Sequence, residues 1–179
     1  MSTTEVQTQA LPAGTYNADR VHSSVSFEVE YMGIGTFSGE VTDFDASLVE
    51  GRLAGKARIA TLEVKDENLR AHLLSPEFFD AERHPEVSFA GSGAEVEGSQ
   101  VRFEGEVTIK GVTQPATLSG TVVGPVADPY GNERYGLELE TTVDRTAFGI
   151  NWNAEMPDGS KALADEVTLK ATLSLVKTA

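Results

Sequence analysis

The chain has 179 residues, enough for one domain with a substantial core and too few to argue for two. It holds no cysteine, which excludes disulfides and thiolate metal ligands, and its formal net charge of −14 argues against nucleic acid and against stable membrane insertion. No stretch approaches the roughly 20 apolar residues of a spanning helix, and residues 1–11 lack a signal's basic start and apolar run, so a cytoplasmic location is expected.

Residues 1–12 read as a disordered N-terminal tail, and 13–179 as a single domain. A first strand is expected from Gly14 to Asp19. Val25, Phe27, Val29 and Tyr31 then alternate with Ser24, Ser26, Glu28 and Glu30, placing one set on a dry face and the other on a wet one. Gly33 and Gly35 turn the chain. The next strand carries Phe37, Gly39 and Val41 inward but continues with Phe44, Ala46 and Leu48. That parity switch predicts a bulge or bend near Thr42–Asp43. After the turn at Glu50-Gly51, Leu53, Ala57, Ile59 and Thr61 share a face.

Residues 66–84 break the alternation. Asp66 is a candidate N-cap for a short helix bearing Leu69, Leu73 and Leu74, which Ser75-Pro76 stops. A second turn opened by Pro76 carries Phe78 and Phe79, of which one is expected in the core and the other at the end of the barrel. A short strand at Val87–Phe89 and a Gly-rich turn at Gly91–Gly93 follow. The strand around 101–110 places Val101, Phe103, Val107 and Ile109 inward, and Lys110-Gly111 turns into Ala116, Leu118, Gly120 and Val122. A loop with Pro125, Pro129 and Gly131 leads to a strand with Tyr135, Leu137, Leu139, Thr141 and Val143 inward. The last strand has Val167, Leu169, Ala171, Leu173 and Leu175 on one parity. Eight to ten strands with short connections fit an antiparallel barrel or sandwich.

Three histidines bear on chemistry. Asp19, His22 and Ser23 could be read as a triad, but triads are assembled from separated segments, and His22, His72 and His84 lack carboxylates at metal-ligand spacing. No metal site, catalytic residue or cofactor is therefore expected. Arg145 stands among aromatic and small residues at a strand end, where it could hold an anionic head group bidentately or pair with Asp19 or Asp144. The inward set interleaves large residues with Gly39, Ala57, Gly105, Gly120 and Ala171, which leaves a packed and a hollow barrel both open.

Several segments, in this order, resemble the YceI-like family of lipocalin-like polyisoprenoid-binding proteins. They are Tyr16-Asn17-Ala18-Asp19 with Val21-His22-Ser23-Ser24-Val25-Ser26-Phe27, His72 to Asp80, His84 to Phe89, Gly105 to Pro115, and Asp144 to Ile150. The resemblance covers roughly residues 14–177 and implies an all-β, eight-stranded antiparallel lipocalin-like barrel with a helical insertion near 66–84. It also implies a non-enzymatic protein that binds, transports or stores an isoprenoid or other long-chain lipid, with isoprenoid quinone precursors among the expected ligands. The family often has Asp two residues before the helical His, where this chain has Arg70.

On this reading the cavity walls are Phe27, Val29, Phe37, Val41, Phe103, Val107, Leu118, Leu137, Leu139, Leu169 and Leu173. Phe78, Phe79, Phe148 and Trp152 form the mouth, and Arg145 and His22 are head-group candidates. The alternative is a structural or interaction protein with a solid barrel core and an acidic docking surface. A third reading is an enzyme using one of the histidines. An unclosed edge strand leaves room for a homodimer.

Overall fold

The alternation is realised as eleven antiparallel strands in a computed structural model that describes residues 11–179; residues 1–10 of the expected tail lie outside the described residues. Leu11, the tail's near end, packs against the core. The strands are β1 (Thr15–Ala18), β2 (Ser24–Tyr31), β3 (Gly35–Val41), β4 (Phe44–Val49), β5 (Arg52–Arg58), β6 (Leu62–Glu63), β7 (Glu86–Glu97), β8 (Gln100–Ile109), β9 (Val112–Ala127), β10 (Glu133–Asp144) and β11 (Leu163–Lys177). Both β1 and β2 run along β11, and β3 and β4 are the two halves of one bent ribbon. The sheet therefore closes as eight staves, with β11 pairing back onto β1.

The expected bend falls between β3 and β4. Val41 and Phe44 are both buried although three residues apart, because Thr42 and Asp43 leave the ladder between them. Three elements extend beyond their expected limits. β7 does not stop at Phe89 but runs on to Glu97, since Gly91–Gly93 is a bulge with a register shift rather than a turn. β9 continues through both prolines. It pairs with β10 only from Ser119↔Glu140 downward, so Pro115 lies where β9 has no partner on that side and its missing N–H costs no ladder bond. β11 starts at Leu163, ahead of a register shift before Val167.

The interruption folds as α1 (Glu67–Leu74), capped by the Asp66 carboxylate, which accepts from the Leu69 N–H at 2.9 Å. Arg70 donates to the carbonyls of Leu62 (2.8 Å) and Ala60 (2.6 Å). Where the family pattern has an acid, this chain thus fastens its helix to the β5–β6 segment. α1 and the turn after it cover one end of the barrel, here the upper end. β3 leaves a gap beside them, because beyond β2 it pairs only at Glu40 and Val41, with β6.

The lower end is solid. Tyr16, Leu48, Phe103, Leu137 and Leu175 are each at most 1% exposed, and the Tyr16 hydroxyl donates to Glu133 at 2.9 Å. Burial, with that bond, pushes the Tyr16 phenol up to about 12. Outside this plug Arg134 bridges Asp19 (3.0 Å) and Asp128 (2.8 Å). His22 and then Arg134 hold the Asp19 carboxyl at about 2. Arg134 and the Asn132 N–H hold Asp128 at about 2. Each carboxyl binds its proton at lower pH folded than unfolded, where 3.8 is ordinary. The stability it contributes is complete above pH ~4 and lost as pH falls through about 2. Replacing Arg134 with Met should therefore bring acid unfolding, followed by far-UV circular dichroism, up toward pH 4. An unmoved acid transition would refute this role for the bridge.

Candidate functional site

Two apolar cavities lie one above the other inside the barrel. The upper one, of about 50 Å³, is bounded by Phe27, Val29, Phe37, Leu73, Phe78, Phe79, Ile109, Val143, Arg145, Phe148, Ile150, Leu163, Val167 and Leu169. The lower one, of about 130 Å³, has Val25, Phe44, Ala46, Leu53, Gly55, Ala57, Val87, Phe89, Val107, Leu118, Leu169, Ala171 and Leu173 in its walls, and reaches the intervening outward-parity residues Ser26, Asp45, Ala54, Lys56, Ser88 and Lys170. Leu169 borders both. In the ladder it stands opposite Phe27 on β2 and Thr141 on β10, at mid-height of the barrel.

Of the residues expected to line the pore, Phe27, Val29 and Phe37 bound the upper cavity, Val107, Leu118 and Leu173 the lower, and Leu169 both. Val41, Phe103, Leu137 and Leu139 are inward and buried but touch neither cavity, because side chains fill the barrel below and beside the voids. Phe78 and Phe79 both bound the upper cavity, Phe78 buried in the core and Phe79 only partly buried at the end of the barrel. They occupy turns in which neighbouring side chains are not thrown to opposite faces as they are in a strand. Val25, Ala46, Phe89 and Ala171 also belong to the walls. Their inward parity is the signal that could have named them.

The small inward residues do not all mark empty space. A Cβ on Gly39 would lie 2.7 Å from the Phe27 ring, and one on Gly105 would lie 2.8 Å from the Phe89 ring. Gly39 is a seat for the Phe27 ring and Gly105 is closed first by the Ala90 carbonyl and then by the Phe89 ring, whereas Ala57 and Ala171 face the void.

At the mouth Phe27 meets Phe37 and Phe79 edge-on, with centroids 6.2 and 5.8 Å apart. Phe37, on β3, and Phe79, on the turn after α1, both bound the upper cavity and are only partly buried. Trp152 bounds neither cavity. It packs on His72 (4.6 Å) and Phe78 (5.4 Å), and His72 also bonds Glu77 at 2.5 Å, so these side chains join the cap to the loop before β11. A larger polar hollow outside, where β9 and β10 splay, is sealed from the interior by the buried Val143 and Phe148.

Of the two head-group candidates, only Arg145 borders a cavity. The His22 side chain is 68% exposed and bonds Asp19 at 2.7 Å, outside both cavities. Arg145 opens a 3-10 turn, Arg145–Phe148, and its guanidinium is buried at the cavity's edge. It donates to the carbonyls of Ala164 (2.8 Å), Ile150 (3.0 Å) and Trp152 (2.8 Å), with Asp165 at 3.8 Å. Burial lowers its pKa from the ordinary value, and Asp165 opposes that shift. Neither Asp19 nor Asp144 is its partner; the loop backbone takes most of its donors. Among the described residues, no three His, Asp or Glu side chains gather as a metal site would require. No helix there is long and apolar enough to cross a membrane.

The model of the YceI-like domain family matches residues 16–175. Protein YceI of Escherichia coli O157:H7 is 26% identical over 147 residues, covering 77% of each chain. Two crystal or domain structures share the fold. BcnA of Burkholderia cenocepacia superposes with a TM-score of 0.69 at 21% identity, over 90% of this chain and 99% of that one. A polyisoprenoid binding domain from Saccharophagus degradans, implicated in plant cell wall breakdown, gives 0.70 at 8% identity, over 91% and 98%.

Proposed function

The chain belongs to the YceI-like domain family, and on that premise we propose that its barrel binds an isoprenoid or another long-chain apolar lipid, as a carrier or store rather than a catalyst. The observation that carries this reading is the pair of apolar voids that share Leu169 above the solid lower end of the barrel. The polyisoprenoid binding domain that shares the fold supports the choice of ligand class.

A dry cavity of roughly 150 Å³ admits a benzene-sized molecule. The lower cavity, at about 130 Å³, is of that order. A longer chain enters by lifting the Phe27 and Phe89 rings off Gly39 and Gly105, which joins the voids into one tube. Burial then supplies the affinity at about 0.8 kcal/mol per methylene, before ordering costs.

The first test is native mass spectrometry of the freshly purified protein with organic extraction of whatever it carries, followed by titration with geranylgeraniol. The chain's single tryptophan, Trp152, rests on Phe78 at the mouth and serves as the optical reporter. A co-purified species with isoprenoid mass increments, or a saturable change in Trp152 emission, is the expected result. A bare protein that also ignores geranylgeraniol would turn the assignment toward a solid-core interaction protein with an acidic surface.

A further inference from the structure

The hairpin between β2 and β3 has the same left-handed X-Gly turn as Glu50-Gly51 and Lys110-Gly111, but carries an apolar residue where those carry a charged one. Met32 has φ 55 and Gly33 φ 70, a left-handed pair for which Asn-Gly is the favoured sequence. A long apolar side chain at the first of these positions is held at a conformational cost. It is also left in water: Tyr31 is 43% exposed, Met32 38% and Ile34 87%. From Tyr31 to Thr36 the chain carries no charge at all.

This tip is the direct continuation of the pore. Val29 pairs with Phe37, both in the upper cavity wall, and Tyr31 pairs with Leu163, a third wall residue. The tip thus rises beside the upper cavity, at the part of β3 that has no partner beyond β2.

We propose that the β2–β3 tip is a docking element that seats the mouth of the pore on a zwitterionic lipid surface, inserting Met32 and Ile34 among the acyl chains. The inference rests on the lipid-binding reading and extends it, by naming the source from which the ligand is taken. Charge selects the surface. A chain of net charge −14 is repelled by an anionic leaflet, and beside the tip Glu30 and Asp165 outnumber Lys161. A zwitterionic bilayer lets the apolar contacts act.

The test is co-sedimentation with phosphatidylcholine vesicles, with and without added phosphatidylglycerol. Two variants are used, Ile34→Ser and Met32→Asn; the latter suits the left-handed backbone and is expected to keep or raise the melting temperature. Wild type should bind the neutral vesicles, and anionic lipid should weaken binding. Each variant should lower partitioning about ten-fold or more, as loss of one inserted apolar side chain demands. Uptake of geranylgeraniol diluted from ethanol should be unchanged in both variants, while uptake from vesicles slows. Partitioning that survives both substitutions overturns the proposal. So does a finding that they abolish self-association instead, which makes the tip a contact with a second copy. Failure of wild type to take up geranylgeraniol from solution would sink the lipid-binding reading itself, a result separate from either.

Discussion

Ala171→Phe should yield a protein at least as stable as its parent that no longer takes up geranylgeraniol. Ala171 points into the lower cavity, between Val25 on β2 and Leu139 on β10 in the ladder. An empty void costs about 24 cal/mol per Å³, so filling one of about 130 Å³ returns up to about 3 kcal/mol. Overpacking takes back about 1–3 kcal/mol. The balance is neutral to favourable, the pattern expected where a cavity is kept for a ligand and not for the fold. Excluding the ligand from the lower half removes several methylenes of burial at about 0.8 kcal/mol each, about a hundredfold or more in Kd. Calorimetric melting and Trp152 titration read the two effects separately. Unchanged affinity in a folded Ala171→Phe protein would refute the lower cavity as part of the site.

The same residue shows what period-two patterning does and does not reveal. Parity placed Ala171, Leu169 and Leu173 on the inner face of β11, and the parity switch at Thr42–Asp43 located the bend that lets the sheet close. Parity says which side of the sheet a residue faces, not how far along the barrel it sits. Val41, Phe103, Leu137 and Leu139 share the inner face with Leu118 and Leu169, yet only the latter two border a void. Whether an inward glycine leaves space depends on the strand across from it. At Gly39 the Phe27 ring from the neighbouring strand has taken the space, and at Gly105 the Ala90 carbonyl and the Phe89 ring have, which one strand's pattern cannot show. The helical cap was legible at the break in the alternation, where Asp66 caps α1 and Ser75-Pro76 ends it.

Arg145→Gln is expected to cost about 3–5 kcal/mol and to lower the melting temperature by about 6–20 °C. The guanidinium gives hydrogen bonds to three carbonyls, at Ile150, Trp152 and Ala164, so a single side chain ties the loop before β11 and the start of β11 to the end of β10. Hydrogen bonds from a charged donor contribute about 1.5–3 kcal/mol each, and carbonyls released to water recover part of the loss. Because one of the three belongs to Trp152, the variant should also red-shift Trp152 emission and loosen its packing on His72 and Phe78. Arg145→Lys separates this strut from a head-group site. Lysine keeps the charge but lacks the planar fork that reaches several carbonyls at once. A strut therefore predicts that Lys fails nearly as badly as Gln, in stability and in Trp152 emission alike. A site that holds an anionic head group by charge predicts a stable Lys variant, with affinity for a prenyl phosphate retained and lost only on going to Gln. The hydrogen bonds to Ile150 and Trp152 in the loop and to Ala164 on β11 favour the first outcome, because Nε and Nη1 are already given to the backbone that shapes the mouth.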